Sequence, residues 1–358
     1  MGAETSSVSL STHDDANLDL IASGDVMVDM ADVAGDLVVQ SGRNIAFRQA
    51  QALSITATGP SEADISGTLT APEITFDLGS AGLAAQLILS SPEDDLHLSL
   101  DLVNGGAIGF GASRIIVDHL SNTGDRGLDL NGSQAAVILA GNATVAGGLT
   151  VDAGQIELRK DLTAKSGTLR LTARNGDIRQ GEDSVIRANT GAVLVDAKGE
   201  AALGDIVSGA KAGAPAIRGV GYTVTARPGT TLRAPDGLIA LVGDQIASTD
   251  TPITLAASDL TISANSGSAH VRVIDGGIRL GSLTGDAPLL DLLVDGDILL
   301  ADAILRGAET RTVLSTVEGD VNSDGDIVVG AGGVVTVTAF EGSIGSDGPL
   351  QLSPEVGA

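Results

Sequence analysis

The sequence has no cysteine and no tryptophan, and its 358 residues include only one tyrosine and four phenylalanines. Without cysteine, the chain forms no disulfide, uses no thiol in catalysis and offers no thiolate to a metal. Globular enzymes and β-sandwiches of this length normally anchor their cores with aromatic side chains. The composition therefore favours a narrower core, filled by stacked aliphatic residues.

Basic residues are also scarce, because 20 Lys and Arg stand against 46 Asp and Glu, which gives a net charge of −26. Nucleic-acid binding requires clusters of Lys and Arg, and docking on anionic lipid requires them as well. No run of 18 apolar residues occurs, and four aspartates interrupt the most apolar stretch, Leu289–Leu305. We therefore expect no nucleic-acid partner and no membrane insertion.

The first residues, Met1–Glu4, lack the basic and apolar segments of a signal peptide. The repeat pattern described next begins shortly after them. Together these features predict that the sequence is an excised fragment of a longer protein.

Glycine is abundant, with 48 residues, and the sequence Gly-Asp-aliphatic recurs beside short apolar runs. Such a turn followed by a strand, repeated at a spacing near twenty residues, is the signature of a solenoid. In a solenoid each coil contacts only its neighbours, so greater length adds coils and not domains. The motif begins at Gly24, Gly35, Gly176, Gly204, Gly296, Gly319 and Gly325.

The clearest copies of the repeat include Leu149–Val151 and Leu169–Leu171, with Ile156–Leu158 as a second strand. Strict alternation, as in Leu96–Leu102, turns one face of a strand inward and the other outward. Successive coils stack at the strand spacing of about 4.8 Å. The sequence thus predicts an all-β fold, a single-stranded parallel β-helix, and about 21 residues per coil gives roughly 16 coils.

The repeat pattern also predicts how the chain is divided. Residues 1–16 are rich in Ser, Thr and Asp and are expected to be frayed, and residues 353–358 are expected to form a C-terminal tail. The β-helix is expected to span residues 17–352. Residues 79–135 fit the period least well, which predicts irregular coils or an insertion there.

Three stretches carry a resemblance to a known family: Gly167–Ile178, Gly191–Ala197 and Gly237–Ile246. Ile246–Leu255 is further echoed by Ile344–Leu352. In these stretches the chain resembles the repeat region of filamentous haemagglutinin-like adhesins, which are large exoproteins of two-partner secretion. The resemblance implies a right-handed β-helix on the surface of Gram-negative bacteria. The Asn-Pro-Asn motifs of that family's secretion domain are missing, which points to the shaft.

The resemblance implies a structural and adhesive shaft segment of a large secreted bacterial surface protein. Its expected role is attachment, or contact between cells in a biofilm, without catalysis. The expected partner is an unidentified receptor or glycan on a host or bacterial surface. We further expect a monomer that continues into more coils of a larger parent protein.

Catalytic motifs are missing from the sequence, and the four histidines lie far apart. Asp118 and His119, close to Ser121, suggest a triad, but adjacent residues of a strand point to opposite faces. An exposed strand end explains these residues more simply. The alternative function is a carbohydrate-binding or carbohydrate-active β-helix, since many such folds use paired carboxylates. Sugar platforms usually need Trp or Tyr, which this chain almost lacks.

Residues Asp320–Asp326 resemble the start of a Ca²⁺ loop, with oxygen ligands at alternating positions and Gly325 at the sixth position. Its twelfth position, which requires a bidentate Glu, holds Ala331. The stretch is therefore a weak Ca²⁺ candidate, and two overlapping Gly-Asp turns account for the same residues. No other cofactor is expected. The candidate ligands are Asp320, Asn322, Asp324 and Asp326.

Overall fold

The computed structural model describes most of the chain and shows only β-structure. None of the described ranges holds a helix, and so none offers an apolar helix of the length needed to cross a bilayer. The described residues are 9–13, 16–23, 25–41, 45–52, 54–58, 65–71, 73–77, 83–91, 95–102, 105–211, 215–286, 288–305, 311–325, 327–329, 333–348, 350 and 352–354.

The chain divides into two compact units, Met1–Asn175 and Gly176–Ala358. The strands of the first unit are β1 (Ser9–Ser11), β2 (Leu18–Ala22), β3 (Val26–Asp32), β4 (Asp36–Ser41), β5 (Ile45–Gln51), β6 (Ser54–Thr58), β7 (Ile65–Thr70), β8 (Glu73–Asp77), β9 (Leu83–Ser90), β10 (Asp95–Leu102), β11 (Gly106–Phe110), β12 (Arg114–Asn122), β13 (Leu128–Leu139), β14 (Ala143–Val145), β15 (Leu149–Leu158), β16 (Leu162–Ala164) and β17 (Leu169–Ala173).

The second unit is built in the same way. Its strands are β18 (Ile178–Gln180), β19 (Val185–Ala188), β20 (Val193–Ala197), β21 (Glu200–Leu203), β22 (Asp205–Ser208), β23 (Pro215–Ala226), β24 (Leu232–Ile246), β25 (Ile253–Ala264), β26 (Ala269–Val273), β27 (Ile278–Thr284), β28 (Leu289–Val294), β29 (Ile298–Leu305), β30 (Arg311–Thr316), β31 (Val321–Ser323), β32 (Ile327–Val329), β33 (Val334–Ala339) and β34 (Leu352–Pro354).

The register of the first unit is that of a solenoid, because each strand pairs in parallel with a strand about one coil later. One column of paired residues can be followed through the whole unit, with successive members 19–22 residues apart. It runs through Ser9, Met30, Gln49, Thr68, Ile88, Gly109, Asn131, Asp152 and Thr172.

The second unit shows the same parallel register with a slightly longer repeat of 21–25 residues. Its column runs through Val195, Gly219, Leu241, Ile262, Leu283, Leu305, Val329 and Pro354. The prediction of an all-β parallel solenoid is confirmed in both units.

Aliphatic side chains stack inside the coils because alternate residues of each strand face inward. In β10 the four leucines are buried, whereas His97 and Asp101 are exposed. Leu149 stacks on Leu169 in the next coil, as the copies in the sequence predict. The predicted second strand, Ile156–Leu158, is not separate but belongs to β15, whose pairing with β13 shifts register at Gly154.

Residues 79–135, expected as irregular coils or an insertion, contain β9 to β12 and most of β13. These strands keep the parallel pairing of their neighbours, although the register shifts at Leu98/Ser99 and at Gly132/Ala136. In the segment expected to be frayed, β1 pairs with β3, while residues 1–8 and 14–15 lie outside the described residues. Within the expected tail, Ser353 and Pro354 belong to β34, and residues 355–358 lie outside the described part.

Candidate functional site

The Gly-Asp motif forms corners at which a carboxylate of one coil holds the backbone of the next. In the second unit, four motif aspartates each accept a hydrogen bond from a backbone N–H of the following coil. In each case, the residue that follows the aspartate is paired in register with a residue of the next coil. The hydrogen-bond donor is the residue immediately before that partner. The bonds are Glu200 N to Asp177 Oδ1 (2.9 Å), Thr231 N to Asp205 Oδ1 (2.8 Å), Asp320 N to Asp297 Oδ1 (2.8 Å) and Ser343 N to Asp320 Oδ1 (2.7 Å).

Several corner glycines, in the motif and outside it, lie in direct contact with the neighbouring coil. A Cβ added at Gly319 would lie 2.3 Å from the carbonyl carbon of Gly296, and one at Gly342 would lie 2.0 Å from the Gly319 oxygen. A Cβ at Gly199 would lie 2.2 Å from Oδ1 of Asp177. A side chain at these positions would displace either the neighbouring backbone or the carboxylate that ties the coils together.

The structure places two of the four calcium candidates, Asp320 and Asn322, at one such corner. Both carboxylate oxygens of Asp320 accept hydrogen bonds, Oδ1 from the Ser343 N–H and Oδ2 from the Ser346 hydroxyl at 2.8 Å. Oδ1 of Asn322 accepts the Asp347 N–H at 3.2 Å. The fourth candidate, Asp326, lies outside the described residues.

The surroundings of Asp320 favour its ionised form. The hydrogen bond from the Ser343 N–H, followed by that from the Ser346 hydroxyl, lowers the pKa of the Asp320 carboxyl below its ordinary value. Hydrogen bonds to a carboxylate stabilise its charged form. Donors of this protein thus occupy the oxygens that a cation would need.

The third candidate, Asp324, faces a cation of the protein itself. Its Oδ2 lies 3.8 Å from Nη2 of Arg279, and its side chain is half exposed. Among the described residues, no group of three or more His, Asp or Glu side chains is arranged to hold a metal ion. The corner is suited to stacking coils, and a Ca²⁺ ion would have to displace existing hydrogen bonds.

Two of the four histidines lie beside an aspartate of a neighbouring coil. Nδ1 of His97 lies 2.8 Å from Oδ2 of Asp118, so this carboxylate contacts a histidine of the preceding coil and not its neighbour His119. His270 is buried, with Nε2 3.3 Å from the Thr249 hydroxyl and Nδ1 3.5 Å from Oδ2 of Asp291. The alternation argument against pairing Asp118 with His119 does not hold here, because the register with β10 shifts between Val117 and His119 and both side chains are exposed.

Two buried amides that the sequence does not single out also join neighbouring coils. Gln180 donates from Nε2 to the carbonyl oxygens of Ser184 and Asp205, and its Oε1 accepts the Gly204 N–H at 2.8 Å. In the first unit, Oδ1 of Asn122 accepts the Gly105 N–H at 2.9 Å. A polar residue at an inward position of a strand was the only signal in the sequence.

Exposed arginines form a further set of contacts between coils. Many are paired with an acidic residue of a neighbouring coil, so part of the small basic complement is used within the protein. Such exposed pairs typically contribute 0.2–1 kcal/mol each. Examples are Arg48–Asp29, Arg114–Asp95, Arg174–Asp152, Arg218–Asp196 and Arg272–Asp295.

Comparison of the chain with protein-family models, with curated proteins and with solved structures gives no match.

Proposed function

We propose that this chain is a structural and adhesive shaft segment of a large secreted protein of the bacterial surface. The corner geometry supports this proposal most directly. The carboxylate of Asp297 holds the backbone of Asp320, and that of Asp320 holds Ser343, so the recurring acidic residues join coils to one another. Because its repeated polar residues hold successive coils together, the chain is suited to bear mechanical load and to span distance along the stack of coils.

The proposal includes the finer features that the resemblance to filamentous haemagglutinin-like adhesins implies. The solenoid is right-handed and has roughly 16 coils, and the protein is a monomer without catalytic activity. Its partner is a receptor or glycan on a host or bacterial surface. The registers support the coil number, because the described column advances eight times in the first unit and seven times in the second.

Adhesion of beads coated with the purified chain tests the proposal. Coated beads are expected to adhere to epithelial or bacterial cells more strongly than albumin-coated beads. Beads coated with the Gly319→Val variant provide the control, because its side chain would collide with Gly296 and disturb the stacked corner. Adhesion that is equal for the albumin beads would contradict the adhesive role.

The same preparation tests the absence of catalysis. The chain is incubated with a panel of neutral and acidic polysaccharides, and the release of reducing ends and unsaturated products is followed. No release above buffer is expected. Depolymerisation that persists in several independent preparations would replace the proposed role with the carbohydrate-active alternative.

A further inference from the structure

A depression of about 300 Å³ opens on the second unit where three successive coils turn the same corner. It lies at the ends of β19 and β22 and near the start of β24. The register stacks Arg187 on Val207 and Val207 on Arg233, which places the three coils in consecutive layers. At the strand spacing of about 4.8 Å, the two outer layers lie about 10 Å apart.

The depression exists because the middle layer has small residues where the outer layers have larger ones. Gly209 and Ala210 form its floor, Asn189 stands on one side, and Pro235 stands on the other. Gly209 cannot be enlarged, because a Cβ there would lie 1.9 Å from the carbonyl oxygen of Asn189. The stacking of the corner therefore maintains the opening, which we call the 187–236 groove.

The two walls of the 187–236 groove carry opposite charges. Arg187 and Asn189 belong to one outer layer, and Asp236 belongs to the other. Within the described ranges, these three side chains have no ion pair or hydrogen bond, whereas nearby Arg218 and Arg233 are both paired with aspartates.

We propose that the 187–236 groove binds a small zwitterion of amino-acid or dipeptide size. Its carboxylate would contact the guanidinium of Arg187 and the amide of Asn189, and its ammonium group would contact Asp236. Hydrogen bonds between ionised groups are about twice as strong as neutral ones, and a volume of 300 Å³ is at the lower end of ligand sites.

The charges of the residues that line the groove favour a zwitterion over other small ligands. A simple anion would be repelled by the net charge of −26 and would face Asp236. A simple cation would face Arg187. A neutral sugar would use neither charge fully, and the described residues lining the groove include no aromatic ring on which a sugar could stack.

Isothermal titration calorimetry with the full chain tests the proposal. The probes are glycine, β-alanine, γ-aminobutyrate, ε-aminocaproate and glycylglycine, which differ in the distance between their carboxylate and ammonium groups. Saturable binding at one site is expected, with a clear optimum in that distance. Blocking one charge of the best probe, by amidation or by N-acetylation, is expected to weaken binding at least tenfold.

Matched variants locate the binding site. Arg187→Ala and Asp236→Asn are each expected to weaken binding of the best probe at least tenfold, and Ala210→Leu is expected to abolish binding by filling the floor. Arg170→Ala, which removes an exposed arginine of the first unit, is the control and is expected to leave affinity unchanged. Circular dichroism and thermal unfolding of each variant report whether it is folded.

Three outcomes would overturn the proposal: no binding of any probe, equal binding of the charge-blocked forms, or an equal loss of affinity in Arg170→Ala. Equal or tighter binding of neutral hexoses would assign the groove to sugars instead. The proposal does not depend on the adhesive role, because calorimetry and bead adhesion are read out separately. If one of the two proposals fails, the other still stands.

Discussion

Oδ1 of Asp297 accepts a hydrogen bond of 2.8 Å from the backbone N–H of Asp320, which lies one coil further along the chain. Asp320 repeats the arrangement toward Ser343. The side chain that follows the motif glycine in one coil thus becomes a backbone partner of the next coil. This relationship explains why glycine and aspartate recur together, since the glycine allows close stacking and the aspartate fixes the spacing.

Replacement of the motif glycine is expected to destabilise the stack. Gly319→Ala places a Cβ 2.3 Å from the Gly296 carbonyl carbon, and overpacking of this kind costs about 1–3 kcal/mol of unfolding free energy. Urea denaturation measures the change. The control is Gly281→Ala, whose Cβ would meet its nearest atom at an ordinary 3.6 Å. Equal stabilities of the two variants would show that the corner tolerates a side chain.

Loss of the buried amide of Gln180 is expected to be costly, because Gly204 N–H would lose its acceptor in the interior. Leaving a buried polar group unpaired costs about 1–3 kcal/mol. We therefore expect Gln180→Leu to lower the unfolding free energy by at least that amount. Gln155→Leu, at an exposed position of β15, is the control and should stay within about 0.5 kcal/mol of the parent. A parent-like Gln180→Leu variant would contradict the role of the amide.

The stability provided by Asp320 is expected to depend on pH. Its carboxyl has a lowered pKa in the folded state, so its contribution is fully present above the ordinary value of about 3.9 and is lost as pH falls through the lower native value. Asp320→Asn should therefore unfold at a lower temperature than the parent at neutral pH. The difference should close in strong acid.

The control for this pH dependence is Asp347→Asn, which changes an exposed acid of the same corner. Only the Asp320 variant is expected to differ from the parent in its pH profile. Thermal unfolding followed by circular dichroism between pH 2 and pH 7 would show this, in buffers of constant ionic strength. Parallel profiles for Asp320→Asn and the parent would refute the link to the lowered pKa.

Calcium is expected to leave the thermal midpoint unchanged. The oxygens of Asp320 and Asn322 already accept hydrogen bonds from Ser343, Ser346 and Asp347, and the loop lacks the bidentate Glu of a strong site. Unfolding is compared in millimolar CaCl₂, in MgCl₂ of equal ionic strength and in chelator. A rise with CaCl₂ alone that disappears in Asp324→Asn would instead establish a metal site.

The period of the fold could be predicted from the sequence because each copy carries its own signal. Alternating residues such as those of Leu149–Val151, flanked by glycine, identify a strand wherever they occur, and Leu169 indeed stacks on Leu149. The contacts at the corners were harder to predict. Asp177 and Glu200 are 23 residues apart, and loops of variable length hide which residues stack.

The 187–236 groove could not be predicted for the same reason. Arg187, Ala210 and Asp236 are unremarkable in sequence, and they meet only because the register places their three coils in consecutive layers. The calcium hypothesis rested on spacing within one turn. The structure shows that the neighbouring coil supplies donors to the same oxygens, which is information that a local motif does not contain.

In each of the four described corner bonds of the second unit, the N–H of the later coil donates to the carboxylate of the earlier coil. Each coil thus presents a preformed hydrogen-bond acceptor on the side where the next coil packs. A segment that leaves the ribosome later than its predecessor finds its acceptor already in place. The order of synthesis and the order of assembly then coincide, and the unit can grow from its amino-terminal coils toward its carboxyl terminus.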